Sequence, residues 1–242
     1  MKAQTKLIHL QLLTLSAALL GALLRIVLYS TAMDETGMLL SGHWTRTGLL
    51  VLSLATVLLL AAGCRLLPIP AKQPGRPASL LAGFGCFLCA GGFLMNILKN
   101  RPVFNGGTDY AALILSLLAA AGLVFIGIHR CIGRTPHYLA HTTVCLSFAL
   151  QMIGQYRLWS SKPQLPDYCF QILALVSLML TSYHWASRDS GAGGDRKLRF
   201  YGLLSVFFSM VSLYGNESGL FMALCALWVI TNLGHCTIAE AQ

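Results

Sequence analysis

The sequence predicts an all-α membrane protein, a polytopic bundle of about eight transmembrane helices arranged as hairpins. Of its 242 residues, 56% are hydrophobic and only 10% are charged, and its mean hydropathy is +0.67. A soluble domain has about 25% charged residues, so this composition is typical of membrane proteins. The apolar residues also fall in runs of about 20, which is the length that a helix needs to cross a bilayer.

Each apolar run is bounded by polar or helix-ending residues, and these boundaries give the predicted spans. The spans are Leu7–Tyr29, Thr47–Leu67, Ala78–Leu98, Tyr110–Cys131, Pro136–Leu158, Tyr168–Trp185, Leu198–Tyr214 and Gly219–Cys236. The last two are short, which indicates less tilt or a locally thinner bilayer. The first run is long for a signal peptide and Arg25 interrupts it, so it is predicted to be a retained span.

The distribution of basic residues predicts that both termini lie in the cytoplasm. With the N-terminus inside, the cytoplasmic side holds Lys2, Lys6, Arg65, Lys72, Arg76, Arg130, Arg134, Arg188, Arg196, Lys197 and Arg199, and the outer side holds Arg25, Arg46, Lys99, Arg101, Arg157 and Lys162. This excess follows the positive-inside rule, and the predicted location is the bacterial cytoplasmic membrane. The net charge of +9 is therefore assigned to topology. The lipid bilayer is the predicted partner, and nucleic acid is not.

One predicted cytoplasmic loop differs from the others in composition. Residues 187–199 read SRDSGAGGDRKLR, and this richness in glycine and charge predicts a flexible linker. The linker would divide the chain into a six-span body, residues 1–186, and a terminal two-helix hairpin, residues 200–242. The outer turns resemble one another in pairs, and both duplication and convergence explain that likeness.

Several common catalytic patterns are missing from the sequence. No Asp or Glu lies within a predicted span, whereas proton-driven transporters and many intramembrane proteases need an intramembrane carboxylate. Neither H-E-x-x-H nor G-x-S-x-G occurs. These observations favour a protein that is not an enzyme and needs no cofactor.

The strongest metal-binding candidate is the segment HRCIGRTPHYLAH, residues 129–141. It contains His129, Cys131, His137 and His141, of which the last two share a face of one helix. However, the spacing fits no standard zinc signature. Histidine near a helix C-terminus also has a simpler role, because it complements the helix dipole. No metal site is predicted here.

Polar residues inside the spans give the candidate ligand-binding site. Arg25, Asn96, Gln151, Gln155 and Gln171 all fall in the outer halves of their predicted helices. Such side chains must face protein or water, because an unpaired amide in hydrocarbon is costly. A few polar groups among apolar walls are typical of a small-ligand site, so they predict a cavity open to the outside. Alternatively, they hydrogen-bond one another and hold the helices together.

The outer loop after the first span has two adjacent acids, Asp34 and Glu35, in the stretch LYSTAMDETGMLLSGHW. They follow Arg25 closely, so a loop that folds back would pair one of them with this arginine and lower its cost in the bilayer. Trp44 would then anchor the loop at the interface. The two acids are therefore predicted to lie at the mouth of the cavity, in a lid.

The leading functional hypothesis is a small transport-associated or ligand-binding module with an outward-facing polar pocket. Without a carboxylate inside a span, such a module would bind passively or serve a partner complex rather than pump protons. Two alternatives stay open. One is a structural or assembly subunit, without a ligand, whose partners are other membrane subunits. The other is an enzyme acting at the membrane interface, with residues 129–141 as its site.

Overall fold

The structure is a computed structural model that describes residues 2–32, 43–66, 76–99, 107–159, 165–215 and 218–237. In these ranges the chain forms eight α-helices and no strand, so the all-helical prediction is confirmed. The helices are α1 (Lys2–Thr31), α2 (Trp44–Leu66), α3 (Arg76–Lys99), α4 (Gly107–Ile132), α5 (Tyr138–Trp159), α6 (Leu165–Asp189), α7 (Asp195–Val211) and α8 (Gly219–Thr237).

Five of these helices are long and apolar enough to cross a membrane: α1, α2, α3, α4 and α6. Over their described residues, α5, α7 and α8 do not meet both conditions, although α8 contains a shorter apolar stretch, Gly219–Gly234. The length and composition of the five helices suggest a membrane protein.

Six of the helices form a closed ring in which each contacts two neighbours. The order around the ring is α3, α4, α5, α6, α7 and α8, and α8 closes it by packing against α3. Within the ring each helix lies beside the next one along the chain, and α1 lies beside α2, whereas α2 and α3 do not pack against each other over their described residues. The remaining pair, α1 and α2, contact each other and pack mainly against α7, outside the ring.

The outer pair and the ring differ in burial. In the most apolar stretch of α2 only 22% of residues are buried, compared with 56% in α3. The unburied side chains of α2 are mostly large and apolar, for example Leu50, Val51 and Leu54. Such a surface suits lipid rather than water, because a large exposed apolar face is unfavourable in solution.

Aromatic side chains fill the interior of the ring. Phe93 of α3 lies with its ring centroid 5.4 Å from that of Phe148 of α5 and 4.9 Å from that of Phe221 of α8. Phe148 also stacks near Trp228 of α8, at 6.4 Å. The contacts of Phe148 with Phe93 and with Trp228 cross the ring, because α5 is a neighbour of neither α3 nor α8. The interior of the ring is therefore a packed core at this level rather than a channel.

Glycines allow α3 and α4 to pack backbone against backbone. A Cβ atom at Gly83 would overlap the Cys131 thiol and lie 2.9 Å from the carbonyl oxygen of Gly127. A Cβ at Gly127 would lie 3.1 Å from the carbonyl oxygen of Gly83. Small residues at helix interfaces are the usual route to such close contact in membranes, where dispersion between helices replaces hydrophobic burial.

The connection between α6 and α7 is shorter than the predicted linker. Because α6 continues to Asp189 and α7 begins at Asp195, residues 190–194 alone join them. Three glycines in this connection, Gly191, Gly193 and Gly194, have positive φ, which suits a tight turn. Both helices of the predicted terminal hairpin contact the predicted body, α7 through α1, α2 and α6, and α8 through α3. The division into two units stays a prediction.

Candidate functional site

The bundle has two ends with different chemistry. The end that holds the start of α1 and the ends of α2, α4 and α6 is called the terminal face. The end that holds the other ends of these helices is called the opposite face. Contacts between Leu10 and Gly63 and between Arg130 and Asp189 join elements at the terminal face. The candidate residues from the sequence lie mostly toward the opposite face.

Arg25 is buried near the opposite face, with only 3% of its surface exposed. Its Nε donates a hydrogen bond to the carbonyl oxygen of Tyr214 at 3.2 Å, and Nη2 donates to the Tyr29 hydroxyl at 3.4 Å. The guanidinium carbon also lies 5.3 Å from the ring centroid of Tyr29 and 5.4 Å from that of Phe170. Hydrogen bonds and aromatic faces both stabilise a buried arginine. Arg25 therefore joins α1 to α6 and to the turn after α7.

The turn that accepts this hydrogen bond depends on one glycine. Gly215 has φ +79°, and a Cβ there would overlap the ring of Tyr29. The ring of Tyr29 lies edge-on to that of Tyr214, with centroids 5.7 Å apart. Only a residue without a side chain satisfies both the backbone conformation and the close ring. The Leu-Tyr-Gly sequence thus positions the carbonyl that binds Arg25.

The other predicted lining residues occupy several places along this end. Gln171 is buried on α6, next to Phe170. Gln151 and Gln155 on α5 are partly buried, and the Gln151 amide nitrogen is buried without a hydrogen-bond partner among the described residues. Asp34 and Glu35 lie outside the described residues. Their pairing with Arg25, the lid and a single cavity lined by all these residues stay predictions.

Asn96 lines a groove between α3 and α8 at the opposite face, with a volume of about 200 Å³. This α3–α8 groove is lined by Gly92, Met95, Asn96, Lys99, Ser218, Leu220, Phe221 and Leu224. Its polar groups are an amide, an ammonium and a hydroxyl, and its walls are otherwise apolar. Met95 and Leu220 are more than half exposed, so the groove opens on the outer surface of the ring. Asn96 was named as a candidate lining residue in the sequence analysis, and Lys99 and Ser218 were not.

A second polar site lies at the terminal face, where three helices each contribute one buried charged or titratable side chain. His141 Nε2 of α5 lies 3.1 Å from Asp189 Oδ2 of α6, and Arg130 Nη2 of α4 lies 3.5 Å from the same oxygen. The side chains of Arg130, His141 and Asp189 are 7%, 1% and 4% exposed. These residues are called the terminal charge cluster below. A carboxylate this deeply buried requires such partners.

Trp185 packs beside the terminal charge cluster. Its ring is stacked on that of His141, with centroids 5.9 Å apart and planes inclined by 15°. The guanidinium carbons of Arg130 and Arg188 lie 4.9 Å and 5.5 Å from the same tryptophan ring. Indole is the best aromatic partner for a cation, so Trp185 stabilises the positive side of the cluster.

The three histidines of residues 129–141, the candidate metal segment that was not adopted in the sequence analysis, do not converge. The ring centroid of His129 lies 4.0 Å from that of Phe125 with the planes inclined by 39°, His137 stacks on Tyr138 at 4.5 Å, and His141 contacts Asp189. Among the described residues, no group of three or more His, Cys, Asp and Glu side chains is arranged to hold a metal ion.

No family model, curated protein or solved structure matches the chain. Function is therefore inferred from the contacts themselves.

The terminal charge cluster corrects one expectation from the sequence. The sixth span was predicted to end at Trp185, which left Asp189 as a loop charge. Helix α6 instead continues for another turn and ends at Asp189. The side chain of Asp189 is buried there. The available signal was spacing, because residues 185, 188 and 189 share one face of a helix. A mean hydropathy taken over consecutive residues does not reveal this signal, because the mean combines the residues of all faces of the helix.

Proposed function

We propose that the chain is a multi-pass protein of the bacterial cytoplasmic membrane, with eight spans and both termini in the cytoplasm. In this topology the terminal face is cytoplasmic and the opposite face is outside. The five long apolar helices and the apolar exterior of α2 support it. The excess of Lys and Arg on the terminal side supports the orientation.

The orientation predicts a difference in thiol labelling. Cys169 is exposed near the start of α6 at the opposite face, whereas Cys131 is partly exposed at the end of α4 at the terminal face. A membrane-impermeant maleimide added to intact cells is expected to label Cys169 first. Permeabilised cells, in which both faces are accessible, provide the control. Labelling of Cys131 before Cys169 in intact cells would reverse the orientation.

We further propose that the outer face binds a small ligand, in a role associated with transport. The α3–α8 groove is the observation that carries this proposal, because it combines three polar groups with apolar walls. Its volume of about 200 Å³ is below the range of about 300–1,000 Å³ usual for drug-sized ligands. The groove opens toward lipid and contains Lys99, so its ligand is a small amphiphile with an anionic head.

Binding of decanoate tests this function. Protein in nanodiscs is expected to take up more labelled decanoate than empty nanodiscs, and to prefer it over uncharged decanol. Lys99→Gln is expected to weaken decanoate binding about threefold to fivefold, since an exposed ion pair is worth up to about 1 kcal/mol. The control is Arg157→Gln, which removes a positive charge from the same face but outside the groove. Equal effects of both changes would argue against the groove.

The alternative function is a subunit that assembles with other membrane proteins and binds no ligand. The large unburied apolar faces of α1 and α2 favour it, since other helices as well as lipid can cover them. The two functions differ in the response to Asn96→Leu, since Asn96 lines the α3–α8 groove. Ligand binding in this groove requires that the change abolish a ligand-induced rise in melting temperature, whereas a purely structural role predicts altered stability and no ligand response.

A further inference from the structure

The terminal charge cluster is not used by the proposed ligand site, which lies at the other end of the bundle. It joins α4, α5 and α6 through one carboxylate oxygen, Asp189 Oδ2. Both partners are almost completely buried, at 7% and 1% exposure. Three helix ends are therefore held together by a single negative charge that bulk water scarcely screens.

Protonation of Asp189 would have a large effect on the stability of the cluster, because the surrounding groups depend on its negative charge. Arg130 of α4 stays positive at all relevant pH values, because a guanidinium is not deprotonated in proteins. Arg188 of α6 is 3.3 Å from Asp195 of α7, and this pair is about one-third exposed. His141 of α5 is the other titratable group that faces Asp189. A proton on Asp189 would leave Arg130 buried beside a neutral acid.

The loss of the charge cannot be compensated locally. Arg130 Nε and Trp185 Nε1 are buried and have no hydrogen-bond acceptor among the described residues. With a neutral Asp189, the guanidinium would keep the face of Trp185 but would lose its anion. A buried cation without a counter-ion is strongly unfavourable, so the helix ends would separate enough to admit water.

We propose that Asp189 is a proton-binding site and that its ionised form, held by Arg130 and His141, latches the terminal face closed. Binding of one proton from the aqueous phase to a carboxylate oxygen removes the charge and releases α4, α5 and α6. The chain thus couples proton uptake at the terminal face to opening of that face. This inference does not depend on the ligand of the α3–α8 groove.

Amide hydrogen exchange of the full chain in nanodiscs tests the latch. At neutral pH, Asp189→Asn, a permanent mimic of the protonated acid, is expected to exchange about a hundredfold faster than the wild type at the ends of α4 and α6 and the start of α5. The control is Asp195→Asn, which removes the partly exposed acid of the same face. It is expected to leave these rates within about threefold of the wild type.

Acidification separates proton binding from a purely structural role. After correction for the intrinsic pH dependence of exchange, acid is expected to bring the wild type to the rate of Asp189→Asn and to leave that variant unchanged. If Asp189→Asn speeds exchange but acid does not affect the wild type, the ion cluster is only structural and the proposal is wrong. Equal rates in both variants at neutral pH would also overturn it.

If Asp189→Asn does not fold, the proposal can be tested on the wild-type protein. Fluorescence of Trp185 reports on the cluster because its ring contacts His141 and Arg130, and Trp185→Phe supplies the background from the other tryptophans. Acid is expected to change this emission over the same pH range in which exchange accelerates. The proposal would be contradicted if neither the Trp185 emission nor the exchange rate changed in acid.

Discussion

Replacing Phe93 with alanine is expected to lower the free energy of unfolding by about 3–5 kcal/mol. Phe93 is fully buried and contacts Phe148 and Phe221 in the interior of the ring. Removing its ring leaves a cavity that three different helices would have to move to fill. Equilibrium unfolding in mixed micelles measures the difference between the variant and the wild type.

Phe84 provides the matched control for Phe93. It lies on the same helix, α3, but 57% of its surface is exposed on the outside of the bundle. Phe84→Ala removes the same group and is expected to change the free energy of unfolding by about 0.5 kcal/mol or less. If both alanines had the same cost, the aromatic interior would not be the packed core of the ring.

The second large effect is expected at Arg130. Arg130→Met removes the permanent positive charge from the terminal charge cluster and leaves Asp189 buried beside His141 alone. Breaking a buried pair in this way costs about 3–5 kcal/mol, because the remaining charge loses its partner without regaining water. The same unfolding measurement applies, with Arg134→Met as the control, since Arg134 follows α4 and is exposed.

Removing both charges is expected to restore most of that loss. In the double variant Arg130→Met with Asp189→Leu, no buried ion lacks a partner, and replacement of buried pairs by apolar groups is often neutral or stabilising. The double variant should also keep the terminal face closed in acid. Additive losses from the two substitutions would show that the two side chains do not interact.

The helices themselves could be predicted from the sequence because each is encoded locally. An apolar run of about 20 residues has few alternatives to a helix when its backbone must satisfy its own hydrogen bonds. The predicted first span, Leu7–Tyr29, lies within α1, and the predicted span Thr47–Leu67 matches α2 within a few residues. The ends are less accurate because helices continue beyond the apolar segment where polar side chains find partners.

The order of the helices in the ring is not encoded locally. Nothing in the sequence of α8 indicates that α3 is its neighbour, since the pairing depends on the fit of Gly85 beside Thr231 and of Gly92 beside Leu224. One contact of Arg25 illustrates the same limit. Its Nε donates to the carbonyl oxygen of Tyr214, 189 residues later in the chain, and a backbone carbonyl is present in every residue, so the sequence does not indicate this partner. The pairing of Arg25 with Asp34 or Glu35 stays a prediction.

The contact between α3 and α8 has a consequence for biogenesis. Asn232 of α8 donates hydrogen bonds to the carbonyl oxygens of Trp228 and Ala82, and Ala82 lies 150 residues earlier in the chain. Synthesis at about 5–20 residues per second puts on the order of ten seconds between the two segments. During that interval the flank of α3 that includes Gly85 and Gly92 lacks the helix that covers it in the complete ring. The ring is therefore completed only when α8 has been made, and a chain cut short before α8 would leave α3 and α7 without the helix that lies between them.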